Sequence, residues 1–273
     1  MTLSSEAISH TTDRYRDAAG YYTTGRPGYP PLLIKRVADL LGVDRRQRVI
    51  DLGTGPGFLA IGFAGYAGEV LGIDPSAEML AAAGENARQA GVTVEFVAGR
   101  SSDLEPRFGP ARLVTIGRAF HWMDTVDTLR RLDGIVDPDG AVALFSDRSP
   151  NVAENVWRAT FEAVRERYAA EDRRQKPGHA SHLGHGSSRY DEVLLASAFS
   201  AVERISVLDR RATPLERFVD RALSFGATWT GASTTLVEDL SAELTAALAP
   251  YAVDGVIHEV IEGQATIARR PAG

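Results

Sequence analysis

The segment Val49-Ile50-Asp51-Leu52-Gly53-Thr54-Gly55-Pro56-Gly57 combines an apolar run, a carboxylate and three glycines at alternate positions. Glycine at a strand-to-helix turn lets the backbone bend tightly and approach a ligand with no Cβ in the way. The helix that follows offers free N–H groups to a carboxylate or phosphate. A tight turn without a ligand needs fewer glycines than this. A dinucleotide fingerprint requires Gly-x-Gly-x-x-Gly, but Phe58 stands where its third glycine belongs. A phosphate P-loop requires Gly-Lys-Ser/Thr, which is absent, so the spacing argues against NAD and ATP. The next apolar run ends in Asp74, about 20 residues after the turn, where a carboxylate is suited to ribose hydroxyls. Alone, Asp74 reads as a helix N-terminal carboxylate ahead of Ser76. Paired with the glycine loop, the ribose reading is the stronger.

Further along, Gly117-Arg118-Ala119-Phe120-His121-Trp122 follows a fourth apolar run. Ligands of open α/β sheets bind at the carboxyl ends of parallel strands. His121 is the best base candidate, because imidazole titrates near neutral pH, although a structural histidine bonded to the strand end is the commoner role for such a residue. His179, His182 and His185 recur at intervals of three in a Gly/Ser-rich segment, a spacing that fits neither a helical pair four apart nor a closed zinc site. They read as a loop, and no metal is expected. Trp157, Phe161, Phe218, Phe225 and Trp229 read either as core or as walls of an apolar acceptor pocket, with Trp229 a candidate substrate contact. Arg173, Arg174 and Lys176 read as solvated charge.

Asp-x-Gly-x-Gly-x-Gly, then Ile-Asp-Pro-Ser-x-x-Met-Leu, then Phe-Val-x-Gly together resemble the class I S-adenosylmethionine-dependent methyltransferases. Ala119-Phe120-His121-Trp122 before Asp124, with Arg26-Pro27-Gly28-Tyr29-Pro30 upstream, is similar to a small-molecule subgroup of that superfamily. The motifs cover about residues 15–148. The resemblance implies S-adenosylmethionine as cofactor, with Gly53 and Gly55 against its methionine part and Asp51 receiving its ammonium directly or through water. It places Asp74 on the ribose and Pro75 and Met79 beside the adenine, though Met79 reads as evenly as core packing. Where the family often has an acid for the adenine amino group, this chain has Arg100, Ser101 and Ser102, so that contact is expected from Ser101, Ser102 or backbone. Arg112 is a second departure, where aspartate is usual. Arg118 would pass the cofactor mainly through its backbone, and His121 and Trp122 would face the methyl-transfer region. Tyr22 and Arg26 would close over the cofactor, Arg26 pairing with its carboxylate; Arg26-Pro27-Gly28 reads equally as a plain turn.

These residues need a scaffold. Pro30-Pro31 opens an amphipathic helix with an apolar face of Leu33, Val37, Leu40 and Leu41, ended by Gly42. Strand-like runs at 48–52, 69–73, 94–97, 113–116 and 141–145 alternate with helical stretches at 59–66, 77–90 and 125–132, implying βαβ units around a mostly parallel sheet. Asp124 is placed to cap the 125–132 helix. Beyond this, a helix is expected over 152–170, a strand over 201–208, and two helices opened by capping boxes at Thr213–Glu216 and Thr235–Glu238. A last run, 264–268, reads as an edge strand. The expected architecture is an α/β, Rossmann-like sheet of seven strands with the last antiparallel, helices on both faces and a helical cap. That is one domain over 1–273, with core at about 30–148, 199–210 and 262–270 and cap or insertions at about 1–29, 150–190 and 212–255.

The chain has 273 residues, 44% hydrophobic and 24% charged, a globular composition with ample core. No cysteine removes thiolate metal sites, disulfides and cysteine nucleophiles, so methyl transfer would run directly from sulfonium to acceptor. The net charge of -6 supplies no field toward nucleic acid. There is neither a signal-like start nor an apolar run near the roughly 20 residues of a membrane span. The expectation is a cytoplasmic monomer or homodimer that methylates a small molecule on oxygen, nitrogen or carbon, in secondary metabolism. The rival is a relative that binds S-adenosylmethionine without methyl transfer, as a regulator or in another reaction.

Overall fold

A computed structural model describes residues 19–175, 190–225 and 234–271. After a short helix α1 (Ala19–Gly25), α2 (Pro31–Leu41) starts with proline at its first position and stops at Gly42, which is left-handed at φ 59°. Its buried stripe is Leu33, Ile34, Val37, Ala38 and Leu41; Leu40 lies at the margin of that arc and is 43% exposed. Arg112, where the resemblance has aspartate, donates from Nε to the Leu41 carbonyl at 2.7 Å, satisfying an orphan acceptor at the end of α2. Then β1 (Arg48–Leu52), α3 (Phe58–Phe63), β2 (Glu69–Asp74), α4 (Ala77–Ala90), β3 (Glu95–Ala98), β4 (Ala111–Gly117), α5 (Thr125–Asp133) and β5 (Val136–Arg148) alternate as the sequence expects. Ser76 caps α4 by accepting from the Met79 N–H, and Asp124 caps α5 by accepting from that of Asp127.

Seven strands form one sheet in the order β3-β2-β1-β4-β5-β7-β6, with β6 (Ala201–Pro214) and β7 (Val256–Arg269) completing it. Only β7 runs against its neighbours; it is antiparallel to both β5 and β6. Alternation sends successive side chains to opposite faces. Val49 and Leu113 pack with Leu33 and Phe63 under α2 and α3, while Ile50 and Val114 pack with Leu129 and Leu132 under α5. Chain connections leave in opposite directions from β1 and β4, so the crevice at their carboxyl ends is the topological switch point of the sheet.

The 264–268 run is not an edge strand. It belongs to the 14-residue β7, which lies between β5 and β6 and buries Val260, Ile261, Ala265, Ile267 and Ala268. The edge is β6, where exposed Glu203, Arg204 and Arg210 supply charge. Both strands outrun β5, whose last pair with β7 is Arg148 with Glu262. Just past that point Asn155 takes the place of a strand. Its amide donates to the Val260 carbonyl at 2.8 Å and accepts from the Val260 N–H at 2.9 Å.

A third cluster lies among α6 (Arg158–Gln175), α8 (Glu216–Ser224) and α9 (Thr234–Leu248); a short α7 (Asp191–Leu195) precedes β6. Trp157, Phe161 and Phe218 are at most 2% exposed in it, packing edge to face with Leu240, Leu244 and Ile257 around them. These aromatics are core. Neither expected capping box forms. Thr213, next to last in β6, gives its hydroxyl to Glu259 at 2.6 Å, so Leu215 heads α8 without a side-chain cap, and Thr235 is already inside α9. No described helix is long and apolar enough to cross a membrane.

Candidate functional site

The turn after β1 is fixed from below. Asp51 is 1% exposed; one carboxylate oxygen accepts from the Thr54 hydroxyl at 2.6 Å and the Ala60 N–H at 3.1 Å, and the other from the Thr115 hydroxyl at 2.8 Å. Gly53 and Thr54 donate their N–H groups to the Ile73 carbonyl, tying the turn to β2. Gly53 and Gly55 are left-handed, with φ 71° and 52°. A Cβ on Gly53 would stand 2.5 Å from that of Ala119, whereas one on Gly55 would meet nothing within 4 Å. The first glycine is therefore required by packing, and the second opens onto free space.

That space is a cavity of about 240 Å³ at the carboxyl ends of β1, β2 and β4. Asp74, 9% exposed, lines it and accepts from the Gly55 N–H at 2.8 Å and the Ser76 N–H at 2.9 Å. Burial pushes its carboxyl above the ordinary range, and these two bonds hold it down. Pro75 and Met79 line the cavity too, so Met79, 4% exposed, is packed in the fold and a wall at once. Ser101 and Ser102 border it from the turn after β3, Arg118 and Trp122 from the segment after β4, and Tyr22 from α1.

Three candidates fall outside the lining. Asp51 faces inward, its oxygens already taken by Thr54, Ala60 and Thr115. Arg26 stacks its guanidinium 4.0 Å from the Phe225 ring centre and donates to the Ser224 carbonyl at 3.5 Å. His121 sits on a 3-10 turn, Phe120–Trp122, whose side chains diverge by about 120° per residue. Phe120 enters the core at 3% exposure and Trp122 enters the cavity, so the His121 ring lies against Trp122, 4.5 Å between centres. Trp229 and His179, His182 and His185 lie outside the described residues. The cavity also recruits Arg100, Met123, Asp124 and Asp127. Asp124 is legible in the sequence as a helix cap and as the residue after the Ala-Phe-His-Trp motif, and Met123 as a neighbour of Trp122.

Asp51 sets a pH dependence. Burial raises its pKa to about 6, against hydrogen bonds from Thr54, Thr115 and Ala60. A raised carboxyl pKa means the folded state binds the proton more tightly, so this group's contribution declines as pH rises from about 4 through 6. Asp51→Asn keeps the oxygen that Thr54 and Ala60 use and lets the amide donate to Thr115. Relative to the parent, it should gain about 2 kcal/mol between pH 4 and pH 7, read by urea unfolding at each pH. Parallel stability curves for the two proteins would contradict this.

Residues 49–140 match the family model of a methyltransferase domain. An uncharacterized methyltransferase of Mycobacterium tuberculosis is 28% identical over 130 residues, 48% of this chain and 50% of its own length. A probable S-adenosylmethionine-dependent methyltransferase of Saccharomyces cerevisiae is also 28% identical, over 46% of this chain and 44% of its own. The chain thus spans about half the length of these relatives. Among solved structures, YcgJ of Bacillus subtilis superposes with TM-score 0.53 at 18% identity, over 88% of this chain and 98% of its own. A [4+2]-cyclase, SpnF, gives 0.56 at 16% identity, over 100% and 98%. The seven-stranded sheet with one antiparallel strand is the Rossmann-like fold these neighbours share.

Proposed function

We propose that this chain, carrying a methyltransferase domain at 49–140, is an S-adenosylmethionine-dependent methyltransferase. It moves a methyl group directly to oxygen, nitrogen or carbon of a small molecule, in secondary metabolism. The observation that carries this is Asp74 beside the open face of Gly55: an acceptor-only carboxylate where a nucleoside's ribose would lie against bare backbone. The charge of the cavity supports the same ligand. Asp74, Asp124 and Asp127 line it against Arg100 and Arg118; the Arg118 guanidinium is paired with Asp147, and the Asp127 carboxylate with Arg130 and Arg131. Such a lining suits a cationic sulfonium nucleoside better than a polyphosphate.

In this reading Asp74 takes the ribose hydroxyls, Gly53 and Gly55 let the backbone approach the methionine part, and Pro75, Met79 and Met123 wall the adenine. Ser101 and Ser102 face the adenine amino group, and Tyr22, Arg118 and Trp122 border the methyl-transfer end. The bound donor supplies an already activated methyl group. The chain's own task is to align an acceptor with it and exclude water, an effect that alone lowers such barriers by several kcal/mol. His121, off the lining, is not assigned the proton. Acceptor contacts from Trp229, and a cytoplasmic monomer or homodimer of a single domain, belong to the same proposal; the net charge of -6 favours a small acceptor over nucleic acid.

A second reading, donor binding without methyl transfer, is favoured by one observation. SpnF and a precorrin 8w decarboxylase, the latter at TM-score 0.50 and 13% identity, have this fold and are named for other reactions. Incubation with S-adenosylmethionine and a panel of phenols, amines and carbon acids separates the two. Acceptor-dependent release of S-adenosylhomocysteine is expected; donor binding with no release across the panel would favour the second reading.

A further inference from the structure

Arg118 is one of two non-glycine residues with positive φ among those described, at 56°. A side chain held there is disfavoured by its own Cβ, and such a residue persists only where its surroundings demand it. The demand is visible. Its N–H is spent on the Phe145 carbonyl at 3.0 Å, while its guanidinium, 11% exposed, reaches three other parts of the chain. Nε bonds the Asp147 carboxylate at the end of β5. One terminal nitrogen donates to the Pro27 carbonyl at 2.6 Å, in the turn joining α1 to α2. Its plane lies 4.6 Å from the Tyr29 ring centre, and the Tyr22 hydroxyl is a further hydrogen-bonding neighbour. Tyr22 is the α1 residue that walls the cavity.

We propose that Arg118 is a positioning residue whose guanidinium holds the 22–29 segment across the cavity, so that ligand affinity depends on a side chain which need not touch the ligand. The other edge of the segment is secured separately. A Cβ on Gly25 would overlap the Arg221 and Asp220 backbone, Arg221 donates to the Gly25 carbonyl at 3.3 Å, and Thr24 bonds Asp220 at 2.6 Å. The Tyr22, Pro27 and Tyr29 side has the Arg118 fork. A lysine cannot reproduce it, because one ammonium cannot span Asp147 and Pro27 in the same fixed geometry.

The inference rests on S-adenosylmethionine as the ligand, so its test has one arm with ligand and one without. The paired replacement R118M/D147M removes the clamp and leaves no buried charge unmatched. In the full chain, calorimetry should show it binding S-adenosylhomocysteine at least about tenfold more weakly than the parent, with R118K in between. Without ligand, amide hydrogen exchange should quicken in residues 20–29 of both variants and stay unchanged in α4. Parent affinity and parent exchange in the paired variant would overturn the proposal. Should the paired variant not fold, exchange in R118K decides alone: protection lost only over 20–29 supports it, and an unchanged profile overturns it. A parent protein that binds no S-adenosylhomocysteine contradicts the donor reading instead, and the exchange arm still decides the clamp.

Discussion

Asp74→Ala is expected to weaken S-adenosylmethionine binding by about a hundredfold or more. Two ribose hydroxyls would donate to a carboxylate that is 9% exposed and fixed by the Gly55 and Ser76 N–H groups. Hydrogen bonds to a charged acceptor contribute about 1.5–3 kcal/mol each, and every 1.4 kcal/mol is tenfold in affinity. Asp74→Asn should not rescue the loss. Both carboxylate oxygens already accept from backbone N–H groups, so one would be replaced by an amide NH₂ facing a donor. Calorimetry on both variants checks this. Asn binding at parent affinity would remove Asp74 from the site.

The largest expected effect on stability comes from Glu259→Ala. Glu259, 1% exposed, accepts from both terminal nitrogens of Arg221 at 2.7 and 2.8 Å and from the Thr213 hydroxyl at 2.6 Å. Arg221, 6% exposed, lies 4.5 Å from the Phe218 ring centre and also holds the Gly25 carbonyl. Removing the carboxylate strands a guanidinium in an aromatic cluster, a change that costs about 3–5 kcal/mol. In a chain of 273 residues that should lower the thermal midpoint by about 5–9 °C. Arg221→Met combined with Glu259→Leu should recover more than half of the loss, because no buried charge remains unmatched. A double variant as unstable as the single one would show that the pair is not the cause.

The glycine-turn side of the cavity was legible because its pattern is local. Glycine spacing and a strand-ending carboxylate lie within residues 49–74, and the fold puts the glycines in the turn after β1 and Asp74 at the end of β2. What was not legible depends on partners far away in the chain. Glu259 and His258 interrupt the apolar pattern of β7, so its first half does not read as a strand until Arg221 and Thr213 are found beside it. Thr213 has the form of a helix cap but serves Glu259 across the sheet. Arg112 reads as a departure from the resemblance and is explained by a carbonyl in α2. His121 and Trp122 are adjacent in sequence, and only the 3-10 geometry of the turn decides which of them enters the cavity.

The cavity lined by Gly55 and Asp74 is proposed to hold a sulfonium nucleoside and not a pyrophosphate cofactor. Calorimetric titration of the full chain with S-adenosylmethionine, S-adenosylhomocysteine, NADH and ATP measures it directly. The account predicts saturable one-to-one binding of the first two and no heat from the others. Saturable binding of NADH or ATP, with none of S-adenosylmethionine, would contradict it.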